Sequence, residues 1–429
     1  MDLRTFLAAL DADGELSHVI EPVSPIFEVA RTISKRDGKP LLFEQLVAYP
    51  EWRLATGYVS QRAHFARALG CQVHEIVARM AQALEAPRAP AVVTAPPCQE
   101  VIQSTVNLDM IPIPRYHPLD GGPYITTGVT VISDPDYGRN ASFHRMMRIG
   151  KDRLVGRIVE HRGTDTAWRK APEGIPIAIC IGLPPQVLLA AAMSPAKGID
   201  ELAIAEALAP TPTAKALTVP LEIPAEAELV LEGVLTHDLA PEGPFPDLTG
   251  TMDGIREQPV FRVTAITHRQ DPIFHALLPA GLEHKNLMGM PREPTIFAEV
   301  SKVARCREVL ITPGGCSWLH AVVQIEPQGA DDARRAIEAA FRGHSSLKHV
   351  VVVDTDVDIH NPAEVEWAVA TRVQAHRDVI VMPEQPSSSL DPSARQIPGQ
   401  KTRTTKVGVD ATIPWGDARE GYLRVSYDA

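Results

Sequence analysis

Between residues 100 and 311 the chain repeats one local pattern: short aliphatic runs, rich in β-branched residues and closed by Gly, Pro or Asp, at 125–132, 154–160, 175–181, 229–235, 260–267 and 273–277. Branched side chains pack well on a pleated surface, so such runs favour strands. Only two helical stretches, 185–193 and 201–208, interrupt them, too few for the strand–helix alternation of a parallel sheet. The spacing predicts a mixed or antiparallel β-domain of barrel type at the centre of the chain.

The flanks read differently. Ahead of the strands, a helix is expected at 3–10 and a longer helical pattern at 61–84, where apolar residues recur three and four apart, and the Pro- and Ala-rich stretch 87–97 reads as a linker. Behind them, helices at 332–341 and 362–372 alternate with strands at 349–353 and 379–382, the rhythm of a small α/β domain. Residues 384–405, crowded with Pro, Ser, Gln and Arg, predict a long loop or lid. The expected fold class is α/β (α+β), with domains at 1–100, 101–311 and 312–429; a chain of 429 residues exceeds what one core usually serves.

Composition narrows the function. A formal charge of -11 and the lack of a basic block argue against a nucleic-acid surface, because phosphate binding needs clustered Lys and Arg. The cysteines Cys71, Cys98, Cys180, Cys306 and Cys316 are scattered and lack CxxC spacing, as reduced thiols in the cytoplasm would be. Neither a basic n-region nor an apolar h-region opens the sequence, so export is not expected. The uncharged stretch 175–193 approaches transmembrane length, but Gly182, Pro184, Pro185 and Gln186 interrupt it. It reads as a buried strand, a turn and a buried helix start, not a membrane span.

The fingerprints GxxxxGK[ST], GxGxxG after a strand, HExxH and GxSxG are all missing, which lowers the standing of P-loop enzymes, dinucleotide oxidoreductases, zincins and serine hydrolases. Three polar clusters stand out instead. Gly138-Arg139-Asn140-Ala141-Ser142-Phe143-His144-Arg145 carries four side chains able to bind anions or metals, and it equally suits a polar surface hairpin. Glu242-Gly243-Pro244-Phe245-Pro246-Asp247-Leu248-Thr249-Gly250 holds two carboxylates in a rigid non-helical loop; such a pair can keep one acid protonated as a donor, and a solvated acidic turn is the plainer reading. Gly198-Ile199-Asp200-Glu201 opens a helix, where Asp200 suits an N-cap and Glu201 the first turn.

In this order the clusters resemble the UbiD family of prenylated-flavin decarboxylases, and the similarity runs over nearly the whole chain. Asp109-Met110-Ile111-Pro112-Ile113-Pro114 and Asp120-Gly121-Gly122-Pro123-Tyr124-Ile125-Thr126 look like the start of the family's flavin domain. Asp354-Thr355-Asp356-Val357-Asp358, Trp367-Ala368-Val369-Ala370-Thr371-Arg372 and Thr405-Lys406-Val407-Gly408-Val409-Asp410-Ala411-Thr412 are similar to its C-terminal signatures. The resemblance implies a central split β-barrel that binds the flavin, flanked by N-terminal and C-terminal α/β regions.

By that resemblance Asn140, His161 and Glu201 match the metal ligands, which hold Mn2+ or Mg2+ against the flavin phosphate; two oxygen donors and an imidazole suit such an ion, and K+ can accompany it. Phe143, His144, Arg145, Arg157, Ile158, Val159, Arg162 and Gly163 fall on cofactor-lining positions, with Lys406 as a further contact. Arg145, Glu242 and Asp247 match the catalytic Arg-acid-acid network, in which Asp247 would return a proton to the carbon that loses CO2; Pro246 departs from the small residue expected there. The stretch 281–293 resembles that of furan-2,5-dicarboxylate decarboxylases, which makes His284 and Arg292 candidates for holding a distal carboxylate. The implied reaction is reversible decarboxylation of an aromatic or heteroaromatic acid, furan-2,5-dicarboxylate to 2-furoate first among them, then hydroxybenzoates and pyrrole or indole carboxylates. The implied partners are a flavin prenyltransferase that supplies the cofactor and further copies of the chain, as a homodimer or homohexamer. Two readings compete: a metal-dependent hydrolase using Asn140, His161 and Glu201 around a water, and a non-catalytic flavin or metal carrier.

Overall fold

A computed structural model, which describes every residue except 395, 396, 398, 399, 401, 423 and 426–429, pairs five of the six aliphatic runs of the middle of the chain into one antiparallel sheet. Its strands are β1 (Tyr124–Ile125), β2 (Val129–Asp134), β3 (Gly138–Phe143), β4 (Met146–Arg148), β5 (Arg153–Gly156), β6 (Ile175–Ile181), β7 (Leu229–Glu242) and β8 (Arg256–His268). They lie in the order β1-β4-β5-β8-β7-β6-β2-β3, with the short strand Val101–Ile102 pairing off this path on β8. The pairing path does not close on itself among the described residues, β1 and β3 being its ends. Ile177, Ile179 and Ile181 of β6 share one core with Leu229, Leu231 and Leu235 of β7 and Phe261, Val263 and Ile266 of β8. The middle strands are thus buried by aliphatic side chains, as a sequence poor in aromatics requires.

Three expected elements end differently, each for a local reason. The helical pattern at 61–84 is two helices, Arg62–Leu69 and Ile76–Glu85, because Gly70 takes a left-handed conformation (φ 61°) and its N–H bonds back to Ala66 and Arg67. The strand expected at 154–160 stops at Gly156: beyond it the Ile158 N–H donates to the Gln258 side chain at 2.7 Å rather than to a ladder. The run at 273–277 yields Ile273–His275, which joins a separate four-stranded sheet, parallel to Arg53–Thr56. The 175–193 stretch is β6, a turn at Gly182 (φ 73°) and the helix Pro185–Ala192, whose residues are all buried. No helix among the described residues is long and apolar enough to cross a membrane.

The chain divides into two units, Met1–Leu287 and Met288–Ala429. The second is built on a five-stranded sheet in the order Cys306–Ile311, His320–Ile325, His349–Val353, Arg403–Asp410, Val379–Pro386, with parallel inner pairings and antiparallel outer ones. Alternate residues sort to opposite faces: Val323 and Ile325 join the core containing Ala336 and Ile337 of the helix Asp332–Gly343, whereas Val322 joins Val365 and Ala368 of the helix Pro362–Arg372. The loop expected at 384–405 is shorter than its composition suggests, because Gln385 pairs with Thr404 and Pro386 with Arg403 in the ladder. Residues 395, 396, 398, 399 and 401 of that stretch lie outside the described residues.

Candidate active site

The open edge of the central sheet carries the first cluster. β3 is an end strand, and Asn140, opposite Ile132 in its ladder, donates from Nδ2 to Glu201 Oε1 at 2.9 Å. The Ala141 N–H donates to Glu201 Oε2, also at 2.9 Å. Glu201 is delivered by the first turn of the helix Glu201–Leu208, whose N-cap, Asp200, accepts the Leu202 N–H and is gripped by Arg139 at 3.0 Å. Burial pushes the Glu201 carboxyl up to about 7, with the neighbouring Asp200 adding to the shift and the Ala141 N–H opposing it.

A metal fits this corner by its chemistry: a buried carboxyl raised by desolvation gains most from a nearby cation, and the amide beside it offers a second oxygen. Gly163 leaves room there, since a Cβ on it would lie 3.2 Å from Asn140 Oδ1. His161 precedes that glycine by two residues, at φ 63°, with its backbone N–H held by Asp165 at 2.9 Å. The structure therefore joins Asn140 to Glu201 directly, while the His161 ring makes no hydrogen bond among the described residues. No group of three His, Cys, Asp or Glu side chains placed to hold an ion occurs among the described residues.

The second cluster converges on Arg145, between β3 and β4. Its Nε donates to Glu242 Oε1 at 2.8 Å, Nη1 to Asp247 Oδ2 at 2.7 Å, and Nη2 to Glu242 Oε2 at 3.1 Å and to Asp253 Oδ2 at 2.9 Å. Glu242, the last residue of β7, is fully buried and also accepts from the Tyr124 hydroxyl at 3.0 Å. The loop bringing Asp247 round is a tight hairpin: Phe245 pairs with Asp253, Pro246 with Met252, and the Asp247 N–H bonds to the Thr251 carbonyl. Glycine is needed at its start, where Gly243 sits at φ 101° and a Cβ would lie 2.6 Å from the Gly254 carbonyl oxygen. The guanidinium stacks over Phe245, 5.4 Å from the ring centre. Burial acts to lower the Arg145 pKa, but the bonds to Glu242 and the charges of Asp247 and Asp253 outweigh it and hold it above the ordinary range.

Around this hub the other expected residues take distinct places. Burial pulls the His144 imidazole down to about 4, against the pull of a bond to the Arg157 carbonyl. A carbonyl only accepts, so Nδ1 carries the hydrogen, and Nε2 meets the Thr164 hydroxyl at 2.8 Å. The half-buried Arg157 guanidinium donates to its neighbour's carbonyl, Ile158 O, at 3.1 Å; burial and then the charge of Arg256 lower its pKa, a setting that favours an added anion such as a flavin phosphate. Ile158 is buried, Val159 is exposed, Phe143 is half-buried at the end of β3, and Arg162 precedes the helix Gly163–Lys170 at its N-cap position without a capping side-chain bond.

His284 feels the charges of Asp247 and Arg145, and burial, the largest influence, lowers its pKa. Its Nδ1 accepts the Ala280 N–H at 3.1 Å, which leaves the hydrogen on Nε2. Arg292 and Lys406 belong to the second unit, where Arg292 lies over Trp318 at 5.6 Å and Lys406 donates to the Ser345 carbonyl at 2.9 Å, 4.8 Å from the Phe341 ring centre. His284 and Arg292 are thus not brought together within either unit. Sequence reasoning missed Asp253, whose setting in Thr251-Met252-Asp253-Gly254 reads as an ordinary turn, and gave Tyr124 and Phe245 no part in the hub.

Three domains of one family match the chain, those of 3-octaprenyl-4-hydroxybenzoate carboxy-lyase (UbiD): the N-terminal domain at residues 7–84, the Rift-related domain at 91–282 and the C-terminal domain at 285–411. The anhydromevalonate phosphate decarboxylase of Methanosarcina mazei is 40% identical over 96% of this chain and 96% of its own, and that of Methanothermobacter thermautotrophicus 42% identical over 99% of each. The UbiD-class enzyme HmfF from Pelotomaculum thermopropionicum, solved in complex with FMN, matches with a TM-score of 0.95 at 39% identity, over 99% of this chain and 97% of that one. An evolved dimeric form of HmfF in complex with prFMN gives 0.91 at 38% identity, over 100% of this chain and 97% of that one.

Proposed function

Because this chain is a carboxy-lyase of the UbiD family, we propose that it removes CO2 from a small unsaturated acid that bears a second acidic group, using prenylated FMN and a divalent ion. The observation that carries the chemistry is the Arg145 hub, in which one guanidinium gathers Glu242, Asp247 and Asp253. Anhydromevalonate phosphate is the first candidate substrate, since two archaeal enzymes of that name match the chain end to end. Furan-2,5-dicarboxylate, giving 2-furoate, is the second; it is favoured by the resemblance of 281–293 and by the nearness of His284 to the charges of Asp247 and Arg145.

Asn140, His161 and Glu201 are the proposed ligands of Mn2+ or Mg2+, with Phe143, His144, Arg157, Ile158, Val159, Arg162 and Gly163 lining the flavin and Lys406 as a further contact. Prenylated FMN, when bound, supplies an electrophilic carbon and an electron sink for the leaving CO2. Asp247 is the proposed proton donor to the carbon that carried the carboxylate, Arg145 and Glu242 set the charge it works against, and His284, with Arg292, reads the second acidic group. A flavin prenyltransferase would supply the cofactor.

The test is production together with a flavin prenyltransferase, mass and visible spectrum of the released cofactor, and CO2 release from anhydromevalonate phosphate, furan-2,5-dicarboxylate, hydroxybenzoates and pyrrole and indole carboxylates. Prenylated flavin with CO2 from the first acid is the expected result; CO2 from the second alone would move the substrate to the furan reading. Protein that binds no flavin and releases no CO2 would return the metal-hydrolase reading.

A further inference from the structure

The helix that presents His284 is fastened from behind by a carboxylate the chemistry does not use. Glu283, 3% exposed, accepts the Gly57 N–H at 2.8 Å and the Thr56 hydroxyl at 3.3 Å on Oε2; its Oε1 accepts the Val59 N–H at 3.3 Å and lies 3.4 Å from His275 Nε2. Thr56 and His275 close two parallel strands, so both strands deliver their ends to this one side chain.

The neighbouring hydrogens can be placed by elimination. The Tyr58 hydroxyl has one hydrogen, and the Leu183 carbonyl, 2.9 Å away, can only accept it. The Tyr58 oxygen must then accept from His275 Nδ1, 3.0 Å away, so Nδ1 is protonated and Nε2 is the nitrogen turned to Glu283. The Gly57, Val59 and Thr56 groups that approach Glu283 are donors, which an isosteric amide cannot satisfy on both of its atoms. On the other side of the same turn, Asp37 accepts the Leu282 N–H at 3.0 Å and Asn286 donates to the Ser60 carbonyl.

We propose that Glu283 is a positioning residue: by drawing the Thr56–Val59 turn onto the first turn of the helix Leu282–Gly289, it fixes where the His284 Nε2–H points. This rests on the reading of His284 as a receptor for the substrate's second acidic group. Holoenzyme variants are compared on the acid turned over in the panel above and on its analogue without that group. Glu283→Gln is expected to raise KM for the first acid about tenfold with kcat changed less than about threefold, to leave KM for the analogue alone, and to keep the cofactor spectrum. His284→Asn should show the same selectivity. If Glu283→Gln does not fold, Thr56→Val removes one donor to Glu283 at similar volume and should give the same selective rise, at about threefold.

Wild-type KM in Glu283→Gln beside a raised KM in His284→Asn overturns the inference and leaves the reading of His284 standing. Equal losses on both acids also overturn it, because Glu283 would then support only the fold. Wild-type KM in His284→Asn, or a panel without turnover, overturns reading and inference together.

Discussion

Glu242 and Asp253 share one nitrogen: Arg145 Nη2 lies 3.1 Å from Glu242 Oε2 and 2.9 Å from Asp253 Oδ2. With Nε also on Glu242 and Nη1 on Asp247, the planar fork is used on every side, which an ammonium cannot reproduce. Arg145→Lys is therefore expected to lower kcat by about a hundredfold or more. Arg145→Met leaves the fully buried Glu242 without its cation and should cost about 3–5 kcal/mol in urea unfolding, and adding Glu242→Gln should recover part of that loss. Additive losses in the double variant would mean that the pair is not coupled.

Asp247→Asn separates proton supply from structure. The side chain is 21% exposed and ends a hairpin loop held by backbone bonds, so the melting temperature should change little. The rate of product formation should fall by about a hundredfold or more, the scale of a lost general acid. Full turnover in this variant would remove Asp247 from the mechanism.

The Glu201 corner can be tested without turnover. Removing groups that merely orient metal ligands weakens binding by about 10–100-fold, so loss of a ligand should cost at least as much. Mn2+ titration followed by electron paramagnetic resonance should show that loss in Glu201→Gln and in His161→Ala. Gly163→Ala, which places a methyl 3.2 Å from Asn140 Oδ1, should weaken Mn2+ less. Unchanged affinity in all three variants would mean that the ion binds elsewhere.

How far these sites are legible in sequence depends on what brings their residues together. The strand at 229–235 is plain from its aliphatic run, but β7 continues to Glu242 through His237 and Asp238, which strand propensity does not favour; pairing of Leu239–Glu242 with Arg256–Pro259 across a bulge holds it. That extension is what puts Glu242 beside Arg145. Asn140 and Glu201 lie 61 positions apart and meet only because a helix start packs against a sheet edge, so family resemblance, not local pattern, singles them out. Gly70 shows the reverse case: a single left-handed glycine, visible in sequence, was enough to divide an apparently continuous helix.

His144 gives the first unit a stability that depends on pH. Its folded pKa is about 4, mainly because burial disfavours the charged ring, against about 6.5 in an unfolded chain. The unfolded state therefore binds the extra proton between these values, so the contribution is complete above about pH 6.5 and is lost as pH falls towards 4. At most this is roughly 3 kcal/mol. Urea unfolding of wild type should weaken across that window more steeply than that of His144→Gln; parallel curves would mean that the ring does not stay neutral in the fold.

The bond from the Ala141 N–H to Glu201 Oε2 has one more consequence. β3 ends its sheet, and an end strand with free amides is a template on which another chain can add itself. Glu201 occupies one of those amides with a buried acidic group, so the side chain proposed to hold the metal also guards the protein against aggregation through its own sheet edge.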